Sequence, residues 1–78
     1  MDAVTREHAR TLTARAEKVK EAIEVVLTAR AEEAACVGGY EERGRARARR
    51  ELAELAEYHA LRDYFTAGET LREVIERA

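Results

Sequence analysis

The densest run of functional groups in this sequence is Arg43, Arg45, Arg47, Arg49 and Arg50, five guanidinium groups within eight residues. A ridge of arginines is a familiar grip on phosphate. Arg43, Arg47 and Arg49 are therefore candidate nucleic-acid or anion contacts. The same stretch carries its own counter-charges in Glu41, Glu42, Glu51, Glu54 and Glu57. At a spacing of four, Glu41 can pair with Arg45, Arg47 with Glu51 and Arg50 with Glu54. The expectation is a solvated, self-paired helix face, with nucleic-acid binding as the alternative function.

Arg30 is a further candidate anion contact, because helical spacing puts it on the same face as Leu12, Ile23 and Val26. A cation on an apolar seam needs a partner or a route to water, and Glu33 is within reach. His59 has Asp63 one turn away to orient it, but no further ligands are spaced for a metal. Glu-x-x-His, the carboxylate-bundle signature, is absent. His8 is expected on the surface. Cys36 has no histidine near it in sequence to activate it and reads as a small apolar residue closing a helix. No catalytic, cofactor or metal set is expected.

The stretch from Leu27-Thr28-Ala29-Arg30 to Val37-Gly38 resembles the first helix of the all-helical chorismate mutases, in which an Arg and a following Lys bind substrate carboxylates. Here Glu41 stands where that Lys would come, and the last helix is too short. The resemblance covers a dozen residues and does not extend to membership or to enzymatic activity.

These groups must be positioned by helices, because the chain has no proline. Its one strong break is Val37-Gly38-Gly39-Tyr40. The predicted arrangement is a single domain over residues 1–78: a helix over 4–36 capped by Asp2 or Thr5, a turn at 37–40, a helix over 41–65 and a short third helix over 67–77. Adjacent glycines suit a left-handed helix end. Gly44 is expected to weaken the start of the second helix. Thr66-Ala67-Gly68-Glu69 reads as a capping box that starts the third. Read as a helix-turn-helix, this end of the chain has bulky Tyr64 where a small residue is usual, and Glu69, Glu73 and Glu76 outweigh Arg72 and Arg77.

The apolar residues of the first helix form the stripe Leu12, Ala16, Val19, Ile23, Val26, Leu27 and Ala34. Glu17–Lys20 and Lys20–Glu24 add pairs along its surface. In the second helix the stripe is Ala48, Leu52, Leu55 and His59, flanked by the rows Tyr58, Leu61, Phe65 and Ala53, Ala56, Ala60, Tyr64. Folding at the glycines opposes Val26 to Leu52, Ile23 to Leu55, Val19 to Tyr58, Ala16 to Leu61 and Leu12 to Phe65.

The chain is 46% hydrophobic, yet sixteen of those residues are alanine and only nineteen are larger. A chain of 78 residues buries only roughly 60% of its unfolded surface. With one cysteine and no metal cluster, a partner chain is the remaining way to deepen the core. The expectation is all-α, a long antiparallel hairpin plus a short helix, forming a four-helix-type bundle as a homodimer. The expected interface is Tyr58, Leu61, Tyr64, Phe65, Leu71, Val74 and Ile75. A formal charge of −2 gives no general attraction to nucleic acid or anionic lipid. No apolar signal region or membrane span is visible, and the location expected by default is the cytoplasm. The function these features suggest is a non-catalytic interaction, regulatory or assembly protein, of a size and texture common in phage and mobile elements. Its partner protein is not named by the sequence.

Overall fold

A computed structural model of residues 1–78 contains two helices, α1 (Ala3–Ala35) and α2 (Tyr40–Arg77), packed as an antiparallel hairpin. Asp2 caps α1, its carboxylate accepting from the Thr5 N–H at 2.7 Å. Those bonds from Thr5 hold the Asp2 carboxyl below its ordinary value. The Cys36 N–H closes the other end on the Glu33 carbonyl. α2 starts at Gly39 without a side-chain cap, and Glu41 and Glu42 in its first turn face the positive end of the helix dipole.

The glycine pair reverses the chain for a different reason from the one expected. Neither glycine has a positive φ. A Cβ on Gly38 would lie 2.6 Å from Glu42 Cβ, so the position needs the absence of a side chain, not a left-handed backbone. Gly44 neither delays nor breaks α2, and a Cβ there would meet nothing within 4 Å. Gly44→Ala should therefore stabilise the fold by about 1 kcal/mol. Gly38→Ala should destabilise it by about 1–3 kcal/mol through overpacking. Urea titrations followed by circular dichroism would check both.

The expected third helix is absent as a separate element, because α2 runs unbroken through Thr66-Ala67-Gly68-Glu69. Thr66 is an interior helical residue whose carbonyl accepts from the Thr70 hydroxyl at 3.0 Å, and the helix-turn-helix reading lapses with it. The physical reason lies in α1, whose first turns hold Thr5, His8 and Leu12 buried or half-buried. An unbroken α2 brings Leu71 and Val74 onto them. One interior glycine costs only about 1 kcal/mol.

The expected seam is also corrected. The seam residues of α1 are Thr5, His8, Leu12, Val19, Ala22, Val26, Ala29 and Glu33, with Cys36 just past its end; those of α2 are Ala46, Arg50, Ala53, Glu57, Ala60, Tyr64, Ala67, Leu71 and Val74. Ala9, Gly44, Glu54, Leu61, Gly68 and Thr70 are half-buried beside it. Apart from the step of seven from Leu12 to Val19, both sets step by threes and fours, the seam of an antiparallel coiled coil. His8 is thus half-buried, not on the surface as expected. Val26, 1% exposed, clusters with Ala29 and Ala53 and not with Leu52, which is 67% exposed. Ala46, Ala53, Ala60 and Ala67 recur every seven residues, and their small size lets the two backbones approach.

The register differs as well. Leu12 lies against Gly68, where the expected facing order put Phe65, a displacement of three residues along α2. The start of α2 therefore overhangs the end of α1, leaving Val37 and Tyr40 almost fully exposed. The molecule is a rod of 59 × 13 × 12 Å. Its radius of gyration is 17.6 Å, against about 12 Å for a compact domain of this length.

Candidate functional site

The arginine run lies where α2 passes the end of α1, and most of it is engaged. Arg50 pairs with Glu33 across the hairpin and with Glu54 at 3.3 Å along its own helix. Arg30 reaches the same Glu54 at 3.2 Å, and Arg49 reaches Glu32 at 3.9 Å. Arg45 pairs with Glu41 at 3.6 Å, and Arg43 Nε donates to the Gly38 carbonyl at 3.0 Å. Arg47 is the member of the run with neither an ion pair nor a side-chain hydrogen bond; Glu51, its expected partner, lies 3.9 Å from Arg50. Arg30 takes Glu54 in place of the expected Glu33.

The electrostatics follow this geometry. Hydrogen bonding from Arg30, then from Arg50, holds the Glu54 carboxyl below the ordinary carboxylate range. Bonding to Glu33, then Glu54, holds the Arg50 guanidinium above its usual value. The cluster joins α1 to α2; partly exposed pairs of this kind contribute little to stability. An open cavity of about 420 Å³ lies beside it, lined by Glu33, Cys36, Tyr40, Glu41, Arg43, Gly44 and Arg47. Cys36 is half-buried there as a free thiol.

The two histidines are not brought together with other ligands. His59 is exposed, with its ring edge-on to Tyr58 at 5.6 Å. Asp63 does not orient it and lies 4.0 Å from Arg62. No group of His, Cys, Asp or Glu is arranged to hold a metal ion, and no helix is long and apolar enough to cross a membrane. The expected Glu17–Lys20 and Lys20–Glu24 pairs are not formed among the ion pairs of α1.

Large apolar side chains are displayed outside the hairpin. Leu52 and Leu55, expected to be core, are exposed, as are Tyr58, Phe65, Ile75, Val25 and Leu27. They fall on two flanks. One is marked by the Arg30–Glu54 pair. Ile23 lies seven residues before Arg30, and Leu61 lies seven after Glu54. This flank holds a cleft between Ala16, Val19, Leu61, Tyr64 and Phe65, and another between Leu12, Tyr64, Phe65, Gly68, Glu69 and Arg72. The other flank is marked by Glu32–Arg49. It holds a groove of about 800 Å³ over Val25, Ala29, Leu52, Ala53 and Ala56, rimmed by Glu21, Glu24, Thr28, Glu32 and Arg49.

The expected interface set is divided by this geometry. Tyr64, Leu71 and Val74 are half-buried on the seam with α1, and Leu61 is half-buried beside it. Tyr58, Phe65 and Ile75 remain exposed at 61%, 62% and 54%. Side-chain bulk alone favours Leu52 and Leu55 as core residues, against the exposure they have here. The strict alanine heptad was the signal for the true seam. Compared with known protein families, curated proteins and solved structures, the chain matches none.

Proposed function

We propose that this chain is a non-catalytic interaction protein of the cytoplasm, working in regulation or assembly through self-association and contacts between helix faces. Two hairpins join on the Arg30–Glu54 flank to form a four-helix homodimer. The observation that carries this reading is the inversion of the hairpin: alanines lie inside, while Tyr58, Phe65, Leu55 and Leu27 lie outside.

The areas support it. The chain exposes 6028 Å², whereas a compact monomer of its mass exposes about 4,800 Å². The excess is larger than the roughly 800 Å² per partner that a standard interface covers. A second copy would enclose aromatic residues that a rod only 12–13 Å across leaves exposed. Sedimentation equilibrium should give about twice the 8.8 kDa chain mass. A mass of 8.8 kDa that does not rise with concentration would remove the proposal.

A further inference from the structure

We infer that the second copy lies antiparallel to the first, tip against open end, with α2 packed on α2 across a two-fold axis midway between Tyr58 and Phe65. The inference rests on the self-association reading and specifies its geometry. One row of α2 carries it: Glu51, Tyr58, Phe65 and Arg72, spaced by sevens. Spacing of seven keeps them on one face. The face is the flank with the exposed aromatics, since Phe65 and Arg72 border the same cleft as Leu12 of α1.

The row is an acid, two aromatic residues and a base in order, and it is complementary to itself only when reversed. In a two-fold pair, residue i contacts j and j contacts i. Reversal places Glu51 against Arg72 of the partner subunit and Tyr58 against Phe65 of the partner subunit, each twice. The aromatic centre loses water, and the charges lie at the rim, where they set register and orientation. The row spans about 32 Å at 1.5 Å per residue, the central half of the 59 Å rod.

The same axis gives α1 a workable contact. Ala16, Val19, Leu61, Tyr64 and Phe65 share one cleft, so the axis crosses α1 close to Val19. Ile23 then meets Ala16 of the partner subunit, large against small. A parallel pair would lay α1 over α2 and leave Glu51 far from Arg72 of the partner subunit. Within the chain Glu51 has a long contact of 3.9 Å to half-buried Arg50, and Arg72 has an exposed pair with Glu76 at 3.1 Å; such pairs are easily exchanged.

The test is a charge swap on the full chain. Glu51→Arg alone sets like charges together at both rims of its homodimer, and so does Arg72→Glu alone. Each should dimerise about threefold to tenfold more weakly than wild type. Mixed one to one, with one variant carrying an affinity tag, the two should form heterodimer well above the statistical half, because both rims then pair opposite charges. Circular dichroism of each variant guards against unfolding. Stable wild-type dimers combined with statistical mixing of the variants would overturn the antiparallel geometry and leave self-association standing. A monomeric wild type would overturn both.

Discussion

Enlarging Ala53 to leucine should destabilise the hairpin by about 1–3 kcal/mol, while Leu52→Ser, one residue away, should change its stability by no more than about 0.5 kcal/mol. Ala53 lies against Val26 and Ala29 in the closest-packed part of the seam. A leucine there adds three carbons where α1 leaves no room, and the helices must separate locally. The neighbouring contacts of Ala46, Ala60 and Ala67 would open with it, because all four belong to one row. Leu52 stands on the flank of α2 beside the seam, two-thirds exposed, and its removal leaves no cavity. Urea titrations of both variants at the same protein concentration check the pair. Large bulk-seeking intuition gives the reverse order, with Leu52 as core and Ala53 as a spectator. If Leu52→Ser proved the costly change and Ala53→Leu the mild one, the register built on Val26, Ala29 and Ala53 would be wrong.

That contrast also explains how far the sequence could be read. The hairpin was legible because its causes are local: no proline, long helical periodicity and a glycine pair. Three residues of the α1 seam, Leu12, Val19 and Val26, were legible because they are both large and spaced by seven. In α2 the two criteria conflict. The large residues Leu52, Leu55, Tyr58 and Phe65 follow one set of rows, and the alanines follow another. Close packing of backbones rewards the small residues, so period decided against bulk. The third helix was misread for a related reason. Thr66 and Glu69 have the residue types of a capping box, but a cap forms only where a helix stops. Leu71 and Val74 continue the seam already established by Ala60, Tyr64 and Ala67, and tertiary contact with Thr5, His8 and Leu12 keeps the helix whole. The ion pairs were half legible. Glu41–Arg45 and Arg50–Glu54 form as spacing suggests, whereas Arg30–Glu54, Arg49–Glu32 and Arg50–Glu33 cross the hairpin and depend on a register that spacing does not contain.

Replacing Tyr58 and Phe65 together by serine should dissociate the proposed dimer and leave the hairpin helical. Burying an aromatic side chain of this kind contributes roughly 1.5–3 kcal/mol, and the two-fold contact uses each side chain twice. The expected loss of affinity is at least about 100-fold. Neither residue supports the seam, since both are more than half exposed in the single chain. The double variant should therefore keep its helical circular dichroism at low temperature and melt at a lower Tm that no longer depends on protein concentration. Wild-type protein should show the opposite, a Tm that rises with concentration, because association stabilises only the folded form. A control at Val25 and Leu52, on the far flank, separates a specific face from general loss of apolar surface: serine at those two positions should leave the concentration dependence intact. If that control abolished it while the Tyr58 and Phe65 variant preserved it, self-association would belong to the groove beside Glu32 and Arg49 instead. Association follows the side of the thin rod that carries its unburied aromatic residues, and these two melting series read that directly.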